Sequence, residues 1–172
     1  GVRLVGSEMC IRDRPNINPY IRPSGTSLEE WCDEKISEME ETILSVGPDQ
    51  IGCFIAEPIL ASGGVIVPPP GYHQRSLELC KKHDIVYISD ETVTGFGRLG
   101  HWFASKEVFG IQPDIITCAK GLTSGYLPMG AAIISESLID GIKNTDGSQP
   151  FTNGYTYSVS YTHLTLPTIL LV

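Results

Sequence analysis

Four short apolar runs constrain this chain more than any other feature. They are IGCFIA (51–56), IVYIS (85–89), IITCA (115–119) and AAII (131–134). Each has the length of a strand and is too short for an independent helix, so each is expected to be a buried strand. Segments 72–83, 101–109 and 135–143 lie between or after them and read as helices. Upstream, a loop rich in Pro, Asn, Ser and Gly (15–27) leads to Ser27, with Glu30 three residues on, the pattern of a capping box. Leu28, Trp31, Ile36, Met39, Ile43 and Leu44 then make a helical apolar stripe, which Gly47-Pro48 ends. Apolar runs alternating with helices predict an α/β fold, a largely parallel sheet with flanking helices.

Composition narrows the function classes. The chain has 172 residues with a formal net charge of −8, which argues against a nucleic-acid binder and an anionic membrane surface. Five cysteines (Cys10, Cys32, Cys53, Cys80, Cys118) are widely spaced, without a C-x-x-C pair. That pattern argues against a disulfide framework or zinc site, and the expected compartment is the cytoplasm. His73, His83 and His101 lack metal-ligand spacing, so no metal is expected. No apolar run approaches bilayer length, and residues 1–14 lack the apolar core of a signal peptide.

The two ends read differently from the middle. Met9 to Arg14 (MCIRDR) and Val159 to Leu164 (VSYTHL) match translations of one library-preparation DNA element, read on opposite strands. We therefore expect 1–14 and 159–172 to be translated adapter, and 15–158 to be part of one layered domain.

Three runs end in charge: IGCFIA in Glu57, IVYIS in Asp90-Glu91, and IITCA in Lys120. In open α/β sheets, ligands bind outside the carboxyl ends of the strands. A charge bordering a buried core needs a partner there; three solvated loop charges are the alternative. Lys120 enters a glycine-rich turn, GLTSGYLPMG. Burial lowers a lysine pKa and makes the amine nucleophilic, able to form a Schiff base. Pyridoxal-phosphate chemistry needs such a lysine, together with an acid beside the pyridine nitrogen, and Asp90 is of the right type. Gly95 to Gly100 (GFGRLG) also matches the G-x-G-x-x-G pattern, but Asp90 to Thr94 separate it from its strand and no strand-end acid follows at the required distance.

Four motifs, IAEPILASGGVIVPPPGY, ISDETVTGFGRLGHWFA, PDIITCAKGLTSGYLPMGA and FTNGYTYS, resemble those of the class III, or ω-type, aminotransferases of pyridoxal-phosphate fold type I. The resemblance implies part of that fold's large domain, with pyridoxal 5'-phosphate as cofactor. It implies that Asp90 partners the pyridine nitrogen, and that Lys120 binds the cofactor covalently and moves the proton between substrate and cofactor. Thr92 stands where the family usually has a valine packed on the ring. Glu57 matches a strand-end glutamate near the active site, with orientation of neighbouring loops as its alternative role. Tyr155 and Thr156 fall in the G-x-T-Y segment, which in the family reaches the partner subunit's cofactor phosphate, so a homodimer is implied. Ser62, five residues after Glu57, resembles the amine:pyruvate and ω-amino acid:pyruvate group, whereas Leu60-Ala61 departs from the family's Gln-Gly. The implied reaction moves an amino group from an amine or ω-amino acid to a keto acid such as pyruvate.

The family's phosphate-binding turn and ring-stacking aromatic lie upstream of this region, and its substrate-carboxylate arginine lies downstream. The alternatives are an aminomutase, decarboxylase or racemase of the same class, a non-catalytic cofactor-binding fragment, and a dinucleotide binder.

Overall fold

The computed structural model describes residues 16–143. A first helix, α1 (Leu28–Val46), begins at the expected capping box. The Glu30 amide donates to Ser27 Oγ at 3.1 Å, and the Ser27 amide donates to the Glu30 carboxylate at 2.7 Å. It stops at Gly47, whose φ of 92° closes the C-terminus with a bond to the Ile43 carbonyl. The buried face of α1 differs from the expected stripe. Trp31, Cys32, Lys35, Met39 and Ile43 face inward, whereas Leu28 and Leu44 are exposed. Lys35 is tolerated there because its ammonium lies 4.1 Å from the Trp31 ring centroid and reaches Glu34 and Glu38 at 2.8 Å.

The four apolar runs form the four strands β1 (Cys53–Ala56), β2 (Val86–Asp90), β3 (Ile115–Cys118) and β4 (Ala131–Ile134). They make one sheet in that order, with β1, β2 and β3 parallel and β4 antiparallel to β3. The helices are α2 (Tyr72–Lys82), α3 (Ala104–Glu107) and α4 (Glu136–Lys143). The α/β reading, with its largely parallel sheet, holds.

Two expectations are corrected. Among the described residues β1 is an edge strand with alternating exposure, not a fully buried one, and Ile55 is 58% exposed. Cys53 and Ile55, on one of its faces, are both exposed. The expected helix over 101–109 shrinks to α3, because the Phe96 amide donates to the Trp102 carbonyl (2.7 Å) and the Gly97 amide to the His101 carbonyl (2.9 Å). These bonds tie 101–102 back to the turn at 96–97, and Phe103 enters α3 from β conformation.

The core lies on one side of the sheet. Met39 and Ile43 of α1, Leu77, Leu79 and Cys80 of α2, Ile85, Tyr87 and Ile111 form it, with Phe54 and Phe109 alongside. Along β2, Tyr87 and Ser89 are buried, whereas Val86, Ile88 and Asp90 are half-buried. Strand alternation therefore sends Asp90 to the face away from Tyr87 and Ser89. Among the described residues, no helix is long and apolar enough to cross a membrane.

Candidate functional site

Parallel register brings the strand ends together. Ala56 of β1 pairs with Ser89 of β2, and Asp90 pairs with Thr117 of β3. Glu57, Asp90 and Lys120 therefore leave the same, carboxyl edge of three adjacent strands. Each meets a different environment.

Asp90 is half-buried. Its Oδ1 accepts from the Thr92 amide at 3.0 Å and from the Thr117 hydroxyl at 3.1 Å. Both bonds fall on one oxygen, which leaves Oδ2 open to a further donor. Thr92, also half-buried, thus closes a turn on Asp90 through its backbone.

Lys120 opens a 3-10 turn (Lys120–Thr123) directly after β3, with a φ of 37°. A non-glycine residue in this left-handed region costs roughly 1–3 kcal/mol, and such strain concentrates at functional sites. The turn is locked by the Gly125 amide on the Lys120 carbonyl and the Ser124 amide on the Gly121 carbonyl, both at 3.1 Å. The side chain is exposed and makes no hydrogen bond or ion pair among the described residues. The expectation of a lysine bordering a buried core is corrected to that extent: no described element covers this edge.

Glu57 is half-buried and accepts from the Ala61 amide at 3.0 Å. That bond braces the turn after β1, which fits the loop-orienting alternative. Tyr155 and Thr156 lie outside the described residues, as do 1–15 and 144–172.

Two glycines draw the strand ends close. A Cβ on Gly121, the residue after Lys120, would sit 2.8 Å from Phe96 Cβ and 3.4 Å from the Gly95 carbonyl. A Cβ on Gly95 would sit 2.9 Å from the Glu91 carbonyl. The Lys120 turn therefore packs directly on the loop that follows Asp90, and only glycine permits both approaches.

Sequence reasoning named Glu91 and His73 but gave neither a role. Glu91 is fully buried and has no basic partner in the described ion pairs. Its Oε2 accepts from Thr94 Oγ (2.7 Å) and the Ala104 amide (2.9 Å); its Oε1 accepts from the Ser105 amide (2.7 Å) and hydroxyl (2.6 Å). The signal in the sequence was a second acid beside Asp90, at a position that alternates inward. His73, known from the sequence only as a histidine without metal-ligand spacing, is buried. Its Nε2 contacts the Pro58 carbonyl at 3.0 Å, which can only accept, so Nε2 carries the proton and Nδ1 accepts from the Tyr87 hydroxyl at 2.9 Å. Burial lowers the His73 pKa, with the Pro58 carbonyl and Glu91 acting in the opposite direction. Burial likewise raises Tyr87, and pushes Cys80 up to about 12.

A cavity of about 620 Å³ is lined by Phe96, Trp102, Phe103, Lys106 and Ile116 among others; Asp90 and Lys120 are not part of its wall. No group of residues suited to a metal ion occurs among the described residues. The donor set at the strand ends instead fits pyridoxal phosphate. The open oxygen of Asp90 suits a protonated ring nitrogen, and the unengaged Lys120 amine suits an aldehyde carbon.

The family model for "Aminotransferase class-III" matches residues 13–161. The chain is 44% identical over 135 residues to the uncharacterised aminotransferase y4uB of Sinorhizobium fredii, covering 78% of this chain and 29% of the relative. It is 46% identical over 128 residues to the putrescine–pyruvate aminotransferase of Pseudomonas aeruginosa, covering 74% and 26%. Its fold is similar to the crystal structure of the ω-transaminase from Pseudomonas jessenii in complex with PMP, with a TM-score of 0.76 at 38% identity, over 83% of this chain and 32% of the other. The chain thus spans under a third of the length of these proteins. With its parallel strand ends, its glycine-packed lysine turn and a family match that covers most of its length, the chain belongs to the class-III aminotransferases.

Proposed function

We propose that the full-length protein is a pyridoxal-phosphate-dependent transaminase that moves an amino group from an amine or ω-amino acid to a keto acid such as pyruvate. The observation that carries this reading is the placement of Asp90 and Lys120 at the carboxyl ends of adjacent parallel strands, with the Lys120 turn packed on the loop after Asp90. When bound, the cofactor supplies an electron sink that stabilises negative charge at the substrate carbon.

The chain's own residues supply position and proton transfer. Asp90 would hold a protonated ring nitrogen through its open oxygen, while the Thr117 hydroxyl and the Thr92 amide fix the other oxygen of the carboxylate. Lys120 would hold the cofactor through its amine and, once that amine is free, would move a proton at the substrate carbon. Thr92 would lie beside the ring, and Glu57 braces the turn at the neighbouring strand end. Ser62, in place of a second carboxylate, favours pyruvate-linked amine and ω-amino acid donors. We assign Tyr155 and Thr156 to the phosphate of a partner subunit's cofactor in a homodimer, and the cytoplasm as the compartment.

The test is the full-length protein incubated with pyridoxal phosphate, an amine donor and pyruvate. A visible absorbance band and alanine formation are expected. Lys120→Ala should lose the band and reduce turnover by at least about 10²-fold, the lower end of what a positioned acid–base group contributes. Full activity in Lys120→Ala would refute the assignment.

A further inference from the structure

We propose that Glu91 is a positioning residue: it sets the Asp90 carboxylate for the cofactor by tying both neighbours of Asp90 to the start of α3. The inference rests on the cofactor reading given above and assigns a role to a residue which that reading leaves unused.

A buried carboxylate without a cation is costly, and an apolar side chain would fill the same space. Glu91 is kept at 0% exposure by four donors, all from Thr94, Ala104 and Ser105. The network reaches the other neighbour of Asp90 as well. The Ser105 hydroxyl gives its proton to Glu91, so at its 2.8 Å contact with Ser89 it must accept, and Ser89 donates. Ser89 and Glu91, on either side of Asp90, thus converge on one serine. The Glu91 amide also donates to the Thr117 carbonyl at 2.8 Å, and the Gly95 amide closes the turn on the Glu91 carbonyl at 3.0 Å.

Residues 89 to 92 are therefore pinned from α3 on one face and from β3 at the edge. Asp90 stands between them with one oxygen engaged and one open. A site built this way holds its carboxylate at a fixed angle before any ligand arrives, which lowers the cost of binding.

The test uses the full-length protein and Glu91→Gln, which keeps the side chain's size but sets an amide donor against donors already present. In the cofactor-free protein, the Thr92 amide, which donates to Asp90, should exchange with solvent about tenfold faster, the scale of one weakened hydrogen bond to a charged group. The dissociation constant for pyridoxal phosphate should rise by about the same factor, and the pH midpoint of the bound cofactor's visible band should move. Leu79→Ala, in the core, is the matched control: it should lower the melting temperature and leave all three readouts as they are. If Glu91→Gln lowers the melting temperature yet keeps wild-type Thr92 exchange and affinity, Glu91 only supports the fold and the proposal is overturned. If Glu91→Gln does not fold, Ser105→Ala removes one donor to Glu91 and the acceptor of Ser89, and is read the same way. A wild-type protein that fails to bind pyridoxal phosphate refutes the function proposed above, whereas Thr92 exchange in the variant still decides whether Glu91 positions Asp90.

Discussion

His73 shows how a single buried residue links stability to pH. Its ring joins α2 to the carbonyl of Pro58 after β1 and to the hydroxyl of Tyr87 in β2, and it meets the Phe109 ring edge-on at 5.0 Å. Burial depresses its pKa below the ordinary 6.5. Between the depressed folded value and 6.5, the unfolded chain binds more protons than the folded one, so stability rises with pH across that window and is lost as pH falls. The full-length protein should therefore melt at progressively lower temperature as the pH drops from about 7 to about 5. His73→Phe keeps a ring but cannot titrate. It should lose this acid-side contribution, while costing about 1–3 kcal/mol at neutral pH for each buried polar partner left unpaired. Calorimetry of the two proteins over the same pH series checks this, and an unchanged slope in the variant would assign the effect to other groups. The sequence offered His73 only as a histidine without metal spacing. Its two partners are 14 and 15 residues away, one in a strand and one in a turn, and no local pattern connects them.

At the scale of elements, the packing of turn on turn matters more than the strands themselves. Gly121→Ala would force a Cβ to within 2.8 Å of Phe96 Cβ, and neither atom is the far end of a flexible side chain. We expect a destabilisation of about 1–3 kcal/mol, the usual scale of overpacking, and a weaker hold on pyridoxal phosphate as the Lys120 turn moves off the loop. Phe96 has a φ of 58°, a conformation that favours glycine. Phe96→Gly removes the opposing Cβ but also the ring contacts with Trp102 and Phe103, so alone it should destabilise. The two changes together should cost less than the sum of the singles. A double-mutant cycle by denaturant melting measures the coupling, and strict additivity would show that the contact is not limiting. The strands were legible because four apolar runs of the right length are hard to read otherwise. The helix over 101–109 was overread because the pairing of 96–97 with 101–102 is a backbone choice that periodicity does not register. In α1, the cap was visible in Ser27 and Glu30, yet the buried stripe was misjudged by its end residues. Leu28 and Leu44 are exposed, and only packing tells which side of a stripe is covered.

For the whole molecule, the described segment carries the acid and the lysine but spans under a third of its relatives' length. The edge that bears Lys120 is exposed, and so is every residue of β4. We expect residues 15–158 expressed alone to bind pyridoxal phosphate weakly and without turnover, while the full-length protein sediments as a dimer and transaminates. Orientation of the substrate is a large part of the rate, and an uncovered lysine does not provide it. Stoichiometric binding and turnover by residues 15–158 alone would show that the essential parts are already within them. In the full-length dimer, Thr156→Ala should weaken cofactor affinity if its hydroxyl meets the phosphate; equal affinity would remove Thr156 from the site.

By itself the sequence determined the layer class, the four strands and their order along the chain, the α1 cap, and the three charges at strand ends. These are properties of local spacing: run length, alternation with helices, a capping pair, a charge at the end of a run. Tertiary structure decided which charges share an edge, through the parallel register of β1, β2 and β3. It also decided that β4 runs against its neighbour, that Gly121 lets the lysine turn rest on Phe96, and that Ser105 joins Ser89 to Glu91 behind Asp90. Each of these depends on groups distant in sequence meeting within a few ångströms. Such contacts follow from how whole elements pack, and a residue's immediate neighbours in the chain carry no trace of them.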